Sequence, residues 1–131
     1  MENKTITEEE YKKRIISELE VLPNDIKETR QKIIEKTIEK DNYENSVKVI
    51  EEQTTRDVIF LVDTNGKNTF TNETQRKNEI SLRLKNDEKY NQLLQKVKSV
   101  NIEIAKLDSY YEFFNNRLKV LPAILDTIKH W

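Results

Sequence analysis

Between positions 90 and 128, Tyr90, Leu93, Val97, Val100, Ile104, Leu107, Tyr111, Phe114, Leu118, Leu121, Leu125 and Ile128 follow one another at alternating steps of three and four. This is a heptad seam, sustained for more than five repeats. A stripe of that period stays on one side of a helix, so it predicts a long helix whose apolar edge must meet another helix. The seam supplies shape and no catalytic chemistry.

Composition agrees with a helical reading. Hydrophobic residues make up 35% of the 131-residue chain and charged residues 36%, which is lean for a globule but suits an elongated helical hairpin, with a narrow seam and wide solvated faces. One Gly and two Pro leave little material for a fold built on many turns. Disorder shares this high charge, and the sustained heptad argues against it.

Taken in order, the chain first offers Thr7 as an N-cap with Glu10 as the other half of a capping box, and Ile6 and Tyr11 placed as a hydrophobic staple. A helix is expected from Glu8, carrying Tyr11, Ile15, Leu19, Leu22 and Ile26 inward, with a kink or restart at Pro23. Arm 1 then extends to residue 52, its strip interrupted by Lys36 and Lys40. At Val58-Ile-Phe-Leu-Val62 the period changes. Five apolar residues, largely β-branched or aromatic and ended by Asp63-Thr-Asn-Gly66, predict a strand entering a hairpin, with Asn65-Gly66 as a type I′ turn and a β ribbon over 57–71 at the tip. Asn72 and Gln75 then predict a helix start near Glu73, opening arm 2 (73–131), and Asp87 is placed to cap the helix that carries the seam. Pro122 should kink its last turns. The expected fold is mainly α: a single domain over 1–131, an antiparallel long-helix hairpin with a short β-hairpin at its tip and a kinked N-terminal helix.

Chemistry is scarce along this chain. There is no Cys, and the one His, His130, stands next to the terminus. No Gly-rich phosphate loop can be built with Gly66 as the only glycine. The serines lie in charged helical contexts without a histidine to activate them. We therefore expect no enzyme, no metal and no cofactor. With 23 basic and 24 acidic residues, the net charge of −1 draws the chain to neither nucleic acid nor anionic lipid. The polar, acidic start, the absence of a 20-residue apolar run and the lack of Cys predict a cytoplasmic protein without a signal peptide or membrane span.

Binding is the better supported role. Tyr110, Phe113, Val120 and Ile124 lie off the main stripe, and Trp131 ends the chain. Core packing against the Tyr11 to Leu22 helix can absorb much of this surface, and what it leaves exposed as a contiguous aromatic patch marks a homo-oligomeric interface or a partner's groove. Val58, Phe60 and Val62, alternating along the expected strand, form a second candidate through edge pairing. Lys12, Lys13, Arg14, Arg30, Lys32, Arg76, Lys77, Arg83, Lys85, Lys96 and Lys98 could serve a nucleic acid, but each has acidic neighbours and the aromatics cluster elsewhere.

From Asn72-Glu-Thr-Gln-Arg76 through Leu82, Leu84, Asp87 and Tyr90, the chain resembles a loose group of small coiled-coil proteins encoded by phages and prophages of Gram-positive bacteria. The resemblance covers roughly 58–120. It implies a cytoplasmic, non-catalytic protein placed among recombination or replication genes. The helix, ribbon, helix order is also similar to a β-type prefoldin subunit, which would imply a chaperone. The reading from sequence is a self-associating coiled-coil module that binds another protein, with a prefoldin-like chaperone and a single-stranded nucleic-acid binder as alternatives.

Overall fold

The computed structural model describes residues 6–129. Helices account for 87% of it, and there is no strand among the described residues, so the chain is mainly α. The helices are α1 (Glu8–Ile59), α2 (Glu73–Asn86) and α3 (Glu88–Lys129). Packing divides the chain into two units, Met1–Glu35 with Glu103–Trp131 and Lys36–Ile102.

In the first unit α1 opens where its cap dictates: the Glu10 amide donates to Thr7 Oγ1 at 3.2 Å, and Glu8, Glu9 and Glu10 sit against the positive end of the helix. Glu18 meets Arg117, and Asp25 and Glu28 share a groove with Tyr110 and Leu107, so the α1 and α3 segments run antiparallel. Their core is Ile15, Leu22, Leu121 and Ile128, with Leu19, Phe114, Ile124 and Leu125 packed against it. Thr29 is the buried polar residue, and its hydroxyl donates to the Asp25 carbonyl at 2.7 Å, so it enters the seam without an unsatisfied group. Pro23 and Pro122 both lie inside their helices. Each removes one backbone donor, but both are exposed, so the carbonyl each leaves unbonded can turn to water while Leu22 and Leu121 hold the packing.

In the second unit Lys96 lies 5.5 Å over the ring of Tyr43, and Glu51 faces Tyr90 closely enough to act on its hydroxyl, which again orders α1 and α3 antiparallel. Val47, Val58, Leu93 and Val100 are buried. Lys36 and Lys40, which break the apolar strip of α1, are half-buried and reach Glu39 at 3.2 Å and Glu44 at 3.8 Å. Their methylenes cover the seam while the ammonium groups stay at its rim.

The expected β ribbon over 57–71 is not formed. Residues 57–59 continue α1, and the Phe60 amide still donates to the Arg56 carbonyl at 2.9 Å. Helical spacing explains this: Val47, Thr54 and Val58 return to one side of α1, and Val58 is fully buried there. Packing has overridden β propensity. What remains of the hairpin is one isolated bridge, Val62 to Asn68. The turn is not type I′ either, because Gly66 alone has positive φ, at 76°. The Asp63 carbonyl accepts from Gly66 at 3.0 Å, and its carboxylate accepts from the amides of Asn65 at 2.8 Å and Lys67 at 3.0 Å. That is a type I turn closed by a left-handed glycine.

α2 starts as expected: the Gln75 amide donates to Asn72 Oδ1 at 2.8 Å. Asp87 then ends α2 and caps α3, accepting from the Tyr90 amide at 2.9 Å. The Asn91 side-chain amide spans the joint, donating to the carbonyls of Lys85 at 2.9 Å and Asp87 at 2.8 Å.

Candidate protein-binding face

α3 carries more apolar residues than its seam with α1 can cover. Successive residues turn by about 100° around a helix. Phe113, Arg117, Val120 and Ile124 therefore fall in one narrow band, with Tyr110 at its edge, roughly a quarter turn away from the seam. Phe113 is 56% exposed, and Tyr110 and Val120 are exposed with it. Ile124 is half-buried, because it leans on the core as well as on the band. On α1, Val21 is exposed on the flank that also carries Glu18.

Three rings organise the centre of the band. Phe113 packs edge-on against Phe114 with centroids 5.8 Å apart, and Tyr110 stacks on Phe114 at 6.5 Å. Phe114 is half-buried and packs against the core, so the two exposed rings rest on a side chain that the core holds in place. Beside them Arg117 donates from Nε and Nη2 to the two carboxylate oxygens of Glu18, each at 2.7 Å. That bond holds the Glu18 carboxyl below its ordinary range, against the opposing effect of burial, and raises Arg117 further. The positive charge of Arg117 is thereby balanced by Glu18 where it stands within an apolar band.

An open groove of about 300 Å³ runs beside Tyr110 and Phe114, walled on α1 by Asp25, Glu28 and Lys32. Its lining combines these charged residues with Thr29 and the apolar surfaces of Leu107, Tyr110 and Phe114.

No family model, curated protein or solved structure matches this chain.

The candidate residues are not brought into one place. Tyr110, Phe113, Val120 and Ile124 lie together on the band, whereas Val58 is buried in α1 of the second unit and offers no surface. Phe60, 74% exposed, and Val62, also exposed, stand in the segment that follows α1. Trp131 lies outside the described residues. Sequence reasoning missed Val21 and the Glu18 to Arg117 pair. Arg117 within an apolar period was the available signal, since a charge placed there needs a partner from a neighbouring helix.

Among the described residues, no group of three or more His, Asp or Glu side chains is placed to hold a metal ion. No helix among them is long and apolar enough to cross a membrane. Of the basic residues considered for nucleic acid, Lys12 pairs with Glu8 at 3.3 Å, Lys77 with Glu73 at 3.1 Å and Arg83 with Glu79 at 2.9 Å. Each is one turn from its partner, the pattern of a solvated helix face.

Proposed function

We propose that this chain is a non-enzymatic helical module that self-associates and acts by binding another protein. The observation that carries the reading is the exposed band of Tyr110, Phe113 and Val120, with Tyr110 and Phe113 packed on Phe114. Aromatic side chains fixed in a contiguous patch lose water on association while having little rotamer freedom left to lose. The motif resemblance from Asn72 to Tyr90 supports a cytoplasmic setting, in a phage or prophage, with a partner in DNA metabolism or in the host. Replacing Phe113 and Trp131 together by Glu tests the idea. Loss of self-association and of partner capture, with helicity retained, is the expected result, and unchanged mass and capture would remove the reading.

A chaperone reading has one observation in its favour, the exposed Phe60, Leu61 and Val62 after α1, where an unfolded client could dock. The ribbon that made the chain similar to a prefoldin subunit is absent from the fold, so this stands second. Failure to slow aggregation of an unfolded client would dismiss it. A single-stranded nucleic-acid binder, the remaining alternative, would show retardation at low salt that falls steeply as salt rises.

A further inference from the structure

We propose that Asn65-Gly66 is a site of spontaneous modification, at which the Gly66 amide nitrogen attacks the Asn65 side chain and the asparagine becomes aspartate or isoaspartate. The turn that Asp63 holds together sets the pace of the step.

Gly66 is the only glycine of the chain, so Asn65 is the only asparagine followed by a residue without a Cβ. That matters because the attacking nitrogen must come up against the preceding side chain, an approach that a Cβ on the attacking residue obstructs. A Cβ built at Gly66 would meet nothing within 4 Å, so the surroundings are open as well. Asn65 is exposed, and its bond to Asp63 runs through its backbone amide, which leaves its side-chain amide outside the hydrogen bonds that close the turn. Among the described residues every other asparagine except Asn68 and Asn72 lies inside a helix, where the following amide is held in the backbone ladder. Asn72 Oδ1 accepts from the Gln75 amide, and Asn68, followed by the β-branched Thr69, stands in the bridge to Val62.

In the first step the Gly66 nitrogen gives up its proton and bonds to Asn65 Cγ, and the bond from Cγ to Nδ2 breaks, so the side-chain nitrogen leaves as ammonia with that proton. A succinimide remains. Water then opens it at one of its carbonyls. Opening at Cγ restores a normal backbone carrying Asp, whereas opening at the main-chain carbonyl leaves isoaspartate, with the backbone rerouted through Cβ and Cγ.

The turn opposes that first step in two ways. The Gly66 amide donates to the Asp63 carbonyl at 3.0 Å, and the Asp63 carboxylate, which accepts from the Asn65 and Lys67 amides at 2.8 and 3.0 Å, disfavours further negative charge beside it. Attack therefore waits on local opening of the turn.

Trypsin cuts after Arg56 and Lys67, so peptide 57–67 carries Asn65 as its one asparagine, while 68–76 carries Asn68 and Asn72 from the same loop. The folded full chain is held at mildly alkaline pH, digested at intervals and read by mass spectrometry, with isoaspartate separated from aspartate by chromatography. Peptide 57–67 is expected to convert from amide to acid, with isoaspartate among its products, while 68–76 keeps its amides. Asn65→Gln preserves an exposed amide but needs a larger ring, so its conversion should slow manyfold. Asp63→Ala should hasten conversion of Asn65 several-fold. No conversion at Asn65, equal conversion in 68–76, aspartate without isoaspartate, or an Asn65→Gln chain that converts as fast overturns the site. An Asp63→Ala chain that converts no faster overturns the control by the turn.

Discussion

Arg117 grips both carboxylate oxygens of Glu18 at 2.7 Å and so ties α3 to α1 across 99 positions of sequence. The carboxyl is held below its ordinary value by that bond, so on acidification the unfolded chain takes up its proton before the folded chain does. The contribution of the pair is therefore complete above the ordinary glutamate value of about 4.3, and it is lost as pH falls below that through the lowered folded value. The melting temperature of Glu18→Gln should lie below that of the native chain at pH 7, and the two should converge on titration toward pH 3. Parallel curves throughout would mean that the pair adds nothing. Both side chains are partly exposed, so added salt should narrow the gap.

Leu118 and Leu121 are neighbours on the same seam, yet Leu121 is 1% exposed and Leu118 36%. Leu121→Ala should cost about 2–5 kcal/mol in urea denaturation, and Leu118→Ala clearly less, because the cavity it leaves is open to water. Equal losses would place the core elsewhere.

The joint between α2 and α3 is testable through its caps. Asp87→Ala removes the acceptor for the Tyr90 amide and should cost about 0.5–2 kcal/mol. Asn91→Ala strips the amide that bridges Lys85 and Asp87 carbonyls, and should fall in the range of one or two ordinary hydrogen bonds, about 1–2 kcal/mol. The two act on one junction, so the double variant should lose less than the sum.

Val58 and Phe60 separate helix from strand. Backbone chemical shifts over residues 56–59 should be helical. Val58→Asp should disrupt the second unit by placing a charge in a fully buried site, whereas Phe60→Asp should change stability by less than about 0.5 kcal/mol. Similar effects at both would restore the alternating strand.

What could be read in the sequence followed from how local each interaction is. Thr7, Asn72 and Asp87 announced their helix starts because a cap is settled within three residues. The α3 seam was visible because its period is unbroken, and Phe113 and Val120 stood out from it by phase alone. The run from Val58 to Val62 misled because five β-formers in a row outweigh, locally, the four-and-three spacing that ties Val58 back to Thr54 and Val47. Only the α3 partner shows which pattern prevails. Likewise the Glu18 to Arg117 bond depends on the register between helices, which neither segment carries by itself.

Asp87 holds φ −84° and ψ 108°, a single extended residue between helices of 14 and 42 residues. A helical residue differs from it mainly in ψ, which would lie near −42°. Rotation about that one bond would weld α2 and α3 into an uninterrupted rod. Among the described residues, the break that separates α2 from α3 is thus set at a single torsion, which the Asp87 cap and the Asn91 amide hold in its extended state.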